Sequence, residues 1–147
     1  MIKTELFLAA IKKAEINFVT GVPDSLLKEI CECLDENLSS SQHIISTNEG
    51  SAVGLAIGNY LATYSVPLVY LQNSGLGNIV NPLTSLADPM VYGIPILFLI
   101  GWRGEINNGT QLPDEPQHKK QGAITLSQLD LLNIPFKIID EKIADIE

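Results

Sequence analysis

One carboxylate stands apart in an otherwise apolar stretch of the sequence. Residues 46–62 read STNEGSAVGLAIGNYLA, and after Glu49 no charged residue follows until well past Tyr60. A surface helix carries charge along a whole face, so this pattern predicts a buried helix with a single acid at its N-terminal end. Such an acid is either an ordinary helix-start residue after an Asn48 cap, or a group that takes part in chemistry.

A second concentration of reactive side chains lies in the run GWRGEINNGTQLPDEPQHKKQG, which predicts a polar loop over residues 101–122. Structureless loops of this length in a compact domain are usually functional or disordered. His118 has no Cys or His neighbour at metal-binding spacing, and the chain has no G-x-S-x-G motif, so metal and hydrolase sites are not predicted. The candidates for chemistry are Trp102, Arg103, Glu105, Asp114, Glu115, Gln117, His118, Lys119 and Lys120.

Two turns follow predicted strands and hold further candidates. In GVPDS, either Asp24 or Ser25 can cap the next helix. In NSGLGN, Gly75 and Gly77 would let the backbone approach a flat ligand, although a plain tight turn explains them equally well. The turn is not a dinucleotide fingerprint, because Val80 stands where the third glycine should be.

Gly50, Gly54 and Gly58 recur every four residues on the predicted Glu49 helix. Each costs helix propensity of up to ~1 kcal/mol relative to Ala. The smooth strip that they form predicts a close approach, either by the domain's own sheet or by another subunit.

The remaining pattern alternates helices with continuous apolar strands, which predicts a three-layer α/β/α fold with a mainly parallel sheet. In such a fold, functional groups collect at the carboxyl ends of the strands. A helical stretch over residues 79–92 is interrupted by two prolines, and a last helix is predicted near TLSQLDLLN. The predicted strands are INFVTGV, HIIST, VPLVYLQ, IPILFLI and FKIID.

Composition narrows the class of protein. The 147 residues favour one domain, and the net charge of −8 argues against binding to nucleic acid or anionic membranes. No apolar run is long enough to cross a bilayer. Cys31 and Cys33 face different directions on a predicted helix, so they are expected to be reduced thiols of a cytoplasmic protein.

Taken together, five stretches resemble the N-terminal pyrimidine-binding domain of thiamine-diphosphate-dependent decarboxylases. They are GVPDSLLK, TNEGSAVGLAIGNYLAT, YLQNSGLGNIVNPLTSLADP, LIGWRGE and DEPQHKKQG. The resemblance runs in order over nearly the whole chain, which makes residues 1–147 one such domain. Within the family, the chain is most similar to the phosphonopyruvate decarboxylases, with the sulfopyruvate decarboxylases as near relatives.

The resemblance assigns a role to Glu49. In this family, the glutamate of the Asn-Glu-Gly motif hydrogen-bonds N1′ of the cofactor's aminopyrimidine and helps the thiazolium lose its C2 proton. An acid in apolar surroundings can share a proton with a ring nitrogen near neutral pH. By the same resemblance, the cofactor-binding set is Glu49, Gln72, Asn73, Gly75 and Gly77, and the substrate-binding set is Asp24, Ser25, Arg103, Gln117 and His118.

The resemblance also implies parts that this sequence lacks. The family holds the diphosphate and Mg²⁺ with a second domain that carries a Gly-Asp-Gly motif, and no Gly-Asp pair occurs here. The chain is therefore expected to be a separately encoded subunit or part of a longer enzyme, and to work as a homo-oligomer or heteromer.

The expected reaction is decarboxylation of phosphonopyruvate to phosphonoacetaldehyde. Sulfopyruvate decarboxylation, a non-catalytic assembly role and a small-ligand binding domain are the alternatives. The motif residues argue against a purely structural descendant, which would have no reason to keep Glu49 beside an intact turn at residues 75–78.

Overall fold

The computed structural model describes residues 3–107 and 109–139. The helices are α1 (Thr4–Lys13), α2 (Lys28–Asn37), α3 (Glu49–Thr63), α4 (Leu76–Pro82) and α5 (Pro116–Leu131). The strands are β1 (Val19–Gly21), β2 (His43–Ile45), β3 (Leu68–Gln72), β4 (Leu97–Gly101), β5 (Ile106–Asn107) and β6 (Thr110–Gln111).

The first four strands form a parallel sheet in the order β2-β1-β3-β4. The carboxyl ends of all four strands therefore lie at one edge, and the segments that follow them meet there. β5 and β6 form a separate antiparallel hairpin. The predicted parallel sheet is confirmed.

Alternate side chains of β3 enter two different cores. Val69 and Leu71 pack in a cluster with α3 and α4 on one face, while Leu68 and Tyr70 pack in a cluster with α1 and α2 on the other. All four are fully buried, as is usual for a central parallel strand covered on both sides. The three-layer α/β/α architecture is thus confirmed.

Helix α3 is buried on one face only, so the prediction of a buried helix was wrong for its other face. Its inner face packs through Ala52, Val53, Ala56 and Ile57, whereas the outer face exposes Leu55 and Leu61. Gly54 and Gly58 are exposed as well, and a Cβ added to either would meet no atom within 4 Å. Close approach of the domain's own sheet is therefore excluded as the reason for these two glycines.

The predicted loop over residues 101–122 was wrong in two respects. It contains the β5–β6 hairpin, and α5 already begins at Pro116, which is a favourable first helical residue. Helix α5 packs tightly here: a Cβ at Gly122 would overlap the carbonyl of Gly104, and the Trp102 indole donates to the Gly122 carbonyl. The polar composition of this run did not indicate that it contains the start of a packed helix.

Two other elements differ from the pattern in the sequence. Residues 136–139 of the predicted strand FKIID have no regular secondary structure, and Asp140 lies outside the described residues. The stretch over residues 79–92 begins earlier, as α4, and continues through Pro82 into a π-helical turn, Leu83–Ala87. Pro82 ends the α-helix, in keeping with its missing N–H group, but the chain goes on turning.

Two smaller observations complete the fold. Cys31 is buried, Cys33 is half-buried, and both are free thiols. Within the part of the chain that the structure describes, no helix is long and apolar enough to span a membrane.

Candidate functional site

Glu49 begins α3 just after β2, at the carboxyl edge of the sheet. Asn48 caps the helix, since its side-chain oxygen accepts a hydrogen bond of 2.8 Å from the Ser51 N–H. The Glu49 carboxylate is therefore not needed as the cap. Its Oε2 instead accepts a hydrogen bond of 2.7 Å from the side-chain amide of Asn78 on α4.

Gly75 completes the surroundings of this carboxylate. A Cβ at Gly75 would lie 2.5 Å from the Glu49 carboxyl carbon, so only glycine leaves room for the acid in its observed position. At Gly77, by contrast, a Cβ would meet nothing within 4 Å. The structure thus places Gly75 against Glu49 and leaves Gly77 on the exposed side of α4.

Asp24 and Ser25 follow β1 at the same edge of the sheet. Asp24 caps the turn Ser25–Leu27 by accepting a hydrogen bond from the Leu26 N–H, so the cap is Asp24 and not Ser25. Burial raises the pKa of the Asp24 carboxyl, with backbone hydrogen bonds and the charge of Arg103 opposing that shift. Ser25 is exposed, and its hydroxyl accepts a hydrogen bond of 3.0 Å from Arg103 Nη1.

Arg103 and His118 meet on one carboxylate, that of Asp114. Arg103 donates to it through Nε (2.9 Å) and Nη2 (2.7 Å), and His118 Nδ1 lies 2.9 Å from Oδ1. The hydrogen bonds from Arg103, and then that from His118, hold the pKa of Asp114 well below its usual range. The same pairing raises the pKa of Arg103 further above its usual value. Hydrogen bonds thus join Ser25, Arg103, Asp114 and His118, and the carboxyl of Asp24 interacts with the charge of Arg103. These five residues are here called the Asp114 cluster.

Asn73 joins this cluster to the turn that carries Gly75. Its buried amide donates to the Arg103 carbonyl (3.0 Å) and to the Thr125 hydroxyl (2.8 Å), and its oxygen accepts from the Arg103 N–H (3.1 Å). With all of these contacts made inside the domain, the side chain does not face an open site. Gln72 is half-buried and donates to the Ser74 hydroxyl at 2.6 Å.

The structure leaves other sequence candidates at the surface. Gln117, Lys119 and Lys120 are exposed on the first turns of α5. Two residues with close contacts to the site were absent from the predicted binding sets. These are Asn78, which lies in the turn at residues 75–78, and Asp114, which lies in the polar run at residues 101–122. Asn78 contacts Glu49 from 29 positions away and Asp114 contacts Arg103 from 11 positions away, so no local pattern in the sequence indicates either pair.

The chain matches the family described as "Thiamine pyrophosphate enzyme, N-terminal TPP binding domain" over residues 1–129. Thiamine pyrophosphate is another name for thiamine diphosphate. The chain belongs to this family.

Relatives of this domain differ in total length. The chain is 35% identical to the sulfopyruvate decarboxylase subunit alpha of Methanococcus maripaludis, covering 90% of this chain and 74% of that subunit. It is 33% identical to the phosphonopyruvate decarboxylase of Streptomyces viridochromogenes, covering 96% of this chain but only 34% of that enzyme. The domain thus spans most of one relative and about a third of the other.

Solved structures show the same fold. The benzoylformate decarboxylase of Polynucleobacter necessarius superposes with a TM-score of 0.57 over 98% of this domain and 32% of that chain, at 18% identity. A thiamin diphosphate-dependent enzyme from Mycobacterium smegmatis superposes with a TM-score of 0.55 over 68% of this domain and 18% of that chain, at 23% identity.

The described residues fit the pyrimidine half of thiamine diphosphate. Asn78 occupies Oε2 of Glu49, and no described residue donates to Oε1, which leaves one carboxylate oxygen for a ring nitrogen. The glycine at position 75 keeps that oxygen free of side-chain bulk. Residues 3–107 and 109–139 contain no group of three His, Cys, Asp or Glu side chains that could hold a metal ion.

Proposed function

We propose that this domain binds the aminopyrimidine of thiamine diphosphate in a 2-oxo-acid decarboxylase, with Glu49 as the catalytic acid–base residue. The observation that carries the proposal is the Glu49 carboxylate, which Asn78 holds by one oxygen and Gly75 leaves uncovered, at the carboxyl edge of the sheet. An acid that served only to stabilise the start of a helix would not need these contacts with Asn78 and Gly75, since Asn48 already caps α3.

In this proposal, each residue has a limited task. Oε1 of Glu49 shares a proton with N1′ of the aminopyrimidine, and Asn78 keeps Oε2 from turning away. The cofactor, when bound, supplies the electron sink that decarboxylation requires. Gly75 would lie beside the bound pyrimidine, and Gln72, at the end of β3, would lie near the reaction centre. Asn73 fixes the backbone that carries both residues.

The Glu49→Gln variant tests the assignment. It keeps the size of the side chain but removes the acid, and positioned acid–base groups contribute on the order of 10²–10⁴ in rate. We expect C2 hydrogen–deuterium exchange of thiamine diphosphate, bound to the complex with a diphosphate-binding partner, to slow by that order. Ser51→Ala, which changes an exposed residue in the same helical turn, is the matched control. An unchanged exchange rate in Glu49→Gln would remove Glu49 from the mechanism.

We further propose that a partner domain or subunit supplies the diphosphate and Mg²⁺ site, giving a homo-oligomer or heteromer. The domain offers no Gly-Asp pair, and one of its relatives is named as a subunit alpha. The exposed apolar face of α3, with Leu55, Leu61 and the open Gly54 and Gly58, supports a subunit contact beside Glu49.

The cellular compartment that we propose is the cytoplasm. The two free thiols of the domain are consistent with its reducing conditions.

Calorimetry with thiamine diphosphate and Mg²⁺ tests the need for a partner. We expect this chain alone to bind the cofactor weakly, because residues 3–107 and 109–139 offer no group that could hold Mg²⁺ beside the diphosphate. Tight binding by the chain alone, with Mg²⁺ dependence, would contradict the proposal. The same titration after adding the diphosphate-binding partner gives the reference affinity.

The proposed substrate is a 2-oxo acid with a second anionic group. Phosphonopyruvate is the first candidate, giving phosphonoacetaldehyde and CO₂. Sulfopyruvate is the second candidate. It is supported by coverage, because the chain spans 74% of the sulfopyruvate decarboxylase subunit alpha but only 34% of the phosphonopyruvate decarboxylase. Arg103 and Ser25 lie within hydrogen-bond distance of each other, and Arg103 retains N–H groups suited to such oxygens.

Substitution of Arg103 and of His118 tests this substrate class. With the partner present, Arg103→Ala and His118→Ala should lower kcat/KM on phosphonopyruvate or sulfopyruvate by roughly tenfold to hundredfold, the loss of one charged hydrogen bond. Any activity on pyruvate should fall much less. Lys119→Ala and Lys120→Ala are matched controls on exposed turns of α5. An equal loss on all three substrates would mean that the Asp114 cluster serves folding or closure instead.

A further inference from the structure

Five donors converge on the carboxylate of Asp114. Oδ1 accepts from Arg103 Nη2 (2.7 Å), the Glu115 N–H (2.8 Å) and His118 Nδ1 (2.9 Å). Oδ2 accepts from Arg103 Nε (2.9 Å) and the Gly104 N–H (3.0 Å). The side chain is only 12% exposed, so most of its surroundings consist of these donors. Such a carboxylate is fully occupied and cannot itself bind a ligand.

Because its oxygens only accept hydrogen bonds, Asp114 determines which ring nitrogen of His118 carries a proton. An ionised carboxylate only accepts hydrogen bonds, and hydrogen bonds from Arg103 keep the pKa of Asp114 low. Nδ1 of His118 must therefore be the protonated nitrogen in contact with Asp114. Nε2 has no hydrogen-bond partner among the described residues, so it is the nitrogen available to a ligand.

The same contacts determine which N–H groups Arg103 has left. A guanidinium has five N–H donors. Asp114 takes one on Nε and one on Nη2, and Ser25 takes one on Nη1, which leaves two. The bond to Ser25 also ties the loop after β4 to the loop after β1, so the guanidinium is held from two sides.

We propose that Asp114 is a positioning residue for substrate recognition, a role that rests on the proposed function. It presents the two remaining N–H groups of Arg103 to the second anionic group of a 2-oxo acid, together with Nε2 of His118, which donates to that group when both ring nitrogens are protonated. Asp114 also neutralises the charge of Arg103. Because the charge of Arg103 is balanced in this way, the orientation of the donors contributes to recognition of the anion beyond the net charge of the cluster.

This role differs from simple neutralisation, and the two make opposite predictions for Asp114→Asn. If only charge mattered, removal of a negative charge would strengthen binding of an anionic substrate. If orientation matters, either rotamer of the asparagine amide would set its NH₂ group against donors that now bind the carboxylate, and the binding geometry of Arg103 and His118 would be lost. Glu115→Gln removes the same charge one residue away, from an exposed side chain, and is the matched control.

The first test is nitrogen-15 NMR of the imidazole rings in the full chain, without any ligand. We expect neutral His118 to carry its proton on Nδ1 in the wild type and in Glu115→Gln, and to lose this preference in Asp114→Asn. His43, whose Nε2 lies 2.9 Å from the Tyr70 hydroxyl, is the internal reference. Neutral wild-type His118 protonated on Nε2 would overturn the inference, even if Asp114→Asn failed to fold.

The second test is kinetic and uses the complex with the diphosphate-binding partner and cofactor. Asp114→Asn should lower kcat/KM on phosphonopyruvate or sulfopyruvate by roughly tenfold to hundredfold, as misplaced groups do, with little change on pyruvate. Unchanged or higher kcat/KM on the dianionic substrates would overturn the positioning role. If the wild type acts on neither dianion, the proposed function fails, while the NMR result still reports whether Asp114 orients His118.

Discussion

The side-chain amide of Asn78 donates a hydrogen bond of 2.7 Å to Oε2 of Glu49 and thereby joins α4 to the first residue of α3. The contact holds one carboxylate oxygen and leaves the other for a ligand. A long, flexible acid is thus given a single orientation before the cofactor arrives, which lowers the entropy lost on binding.

Asn78→Ala should weaken catalysis without removing the catalytic acid. We expect C2 hydrogen–deuterium exchange of bound thiamine diphosphate to slow by roughly tenfold, less than in Glu49→Gln, because the acid remains but is no longer oriented. Asn81→Ala, an exposed asparagine on the same helix, is the control. Exchange as slow as in Glu49→Gln would show that Asn78 does more than orient Glu49.

Gly75→Ala and Gly77→Ala should differ sharply although they stand two residues apart. Gly75 has an ordinary φ of −76°, so alanine is acceptable to its backbone, and the obstacle is the Glu49 side chain. We expect Gly75→Ala to displace Glu49 and to slow C2 exchange severely with little loss of stability. Gly77→Ala should keep exchange unchanged and favour the helix by up to ~1 kcal/mol. Similar exchange rates in the two variants would contradict the observed contact.

Asp24→Asn should stabilise the domain at neutral pH. Because burial raises the pKa of Asp24 in the folded state, its ionised form costs stability above that pKa, and the cost disappears as the pH falls through it. Asparagine keeps the helix cap without the charge. Urea unfolding should show a higher midpoint for Asp24→Asn at pH 7 and a narrowing difference toward about pH 4. Asp130→Asn, at an exposed position, should show no such trend; a less stable Asp24→Asn at pH 7 would refute the argument.

The two cysteines should react at different rates. Burial raises the pKa of Cys31 to about 11, so its reactive thiolate is scarce at neutral pH, whereas Cys33 is half-buried. A thiol reagent at pH 8 should label Cys33 rapidly and Cys31 slowly. Cys33→Ser should abolish the rapid phase of labelling, while Cys31→Ser should leave it intact. Both cysteines should label together in denaturant. Equal rates in the folded protein would contradict the burial of Cys31.

Much of the fold follows from local pattern. The apolar runs VPLVYLQ and IPILFLI, with helical stripes between them, predicted a parallel sheet covered on both faces, and β3 is buried accordingly. Such runs have no polar face for water, so burial on both sides is the arrangement that satisfies them. The position of Glu49 at the start of α3, at the carboxyl edge of the sheet, follows from the same pattern.

Long-range packing determines two features that the local sequence pattern does not predict, the place of α5 and the exposure of the outer face of α3. Helix α5 begins in a polar run, and its place is determined by contact of Gly122 with Gly104 and by the Trp102 indole, which no periodicity reports. The outer face of α3 is apolar in sequence yet exposed in the domain, since nothing in residues 3–107 and 109–139 covers it.

The sequence by itself determined the family, the parallel sheet and the catalytic candidate Glu49, because these depend on residue types along short stretches. Only the tertiary structure decided which side chains meet. Asn78 reaches Glu49 across 29 positions, and Arg103 reaches Asp114 across 11 and Ser25 across 78. Such pairs depend on how β1, β3 and β4 bring their carboxyl ends together. A hydrogen bond forms only where the fold places a donor within about 3 Å of an acceptor, whatever their separation in the chain.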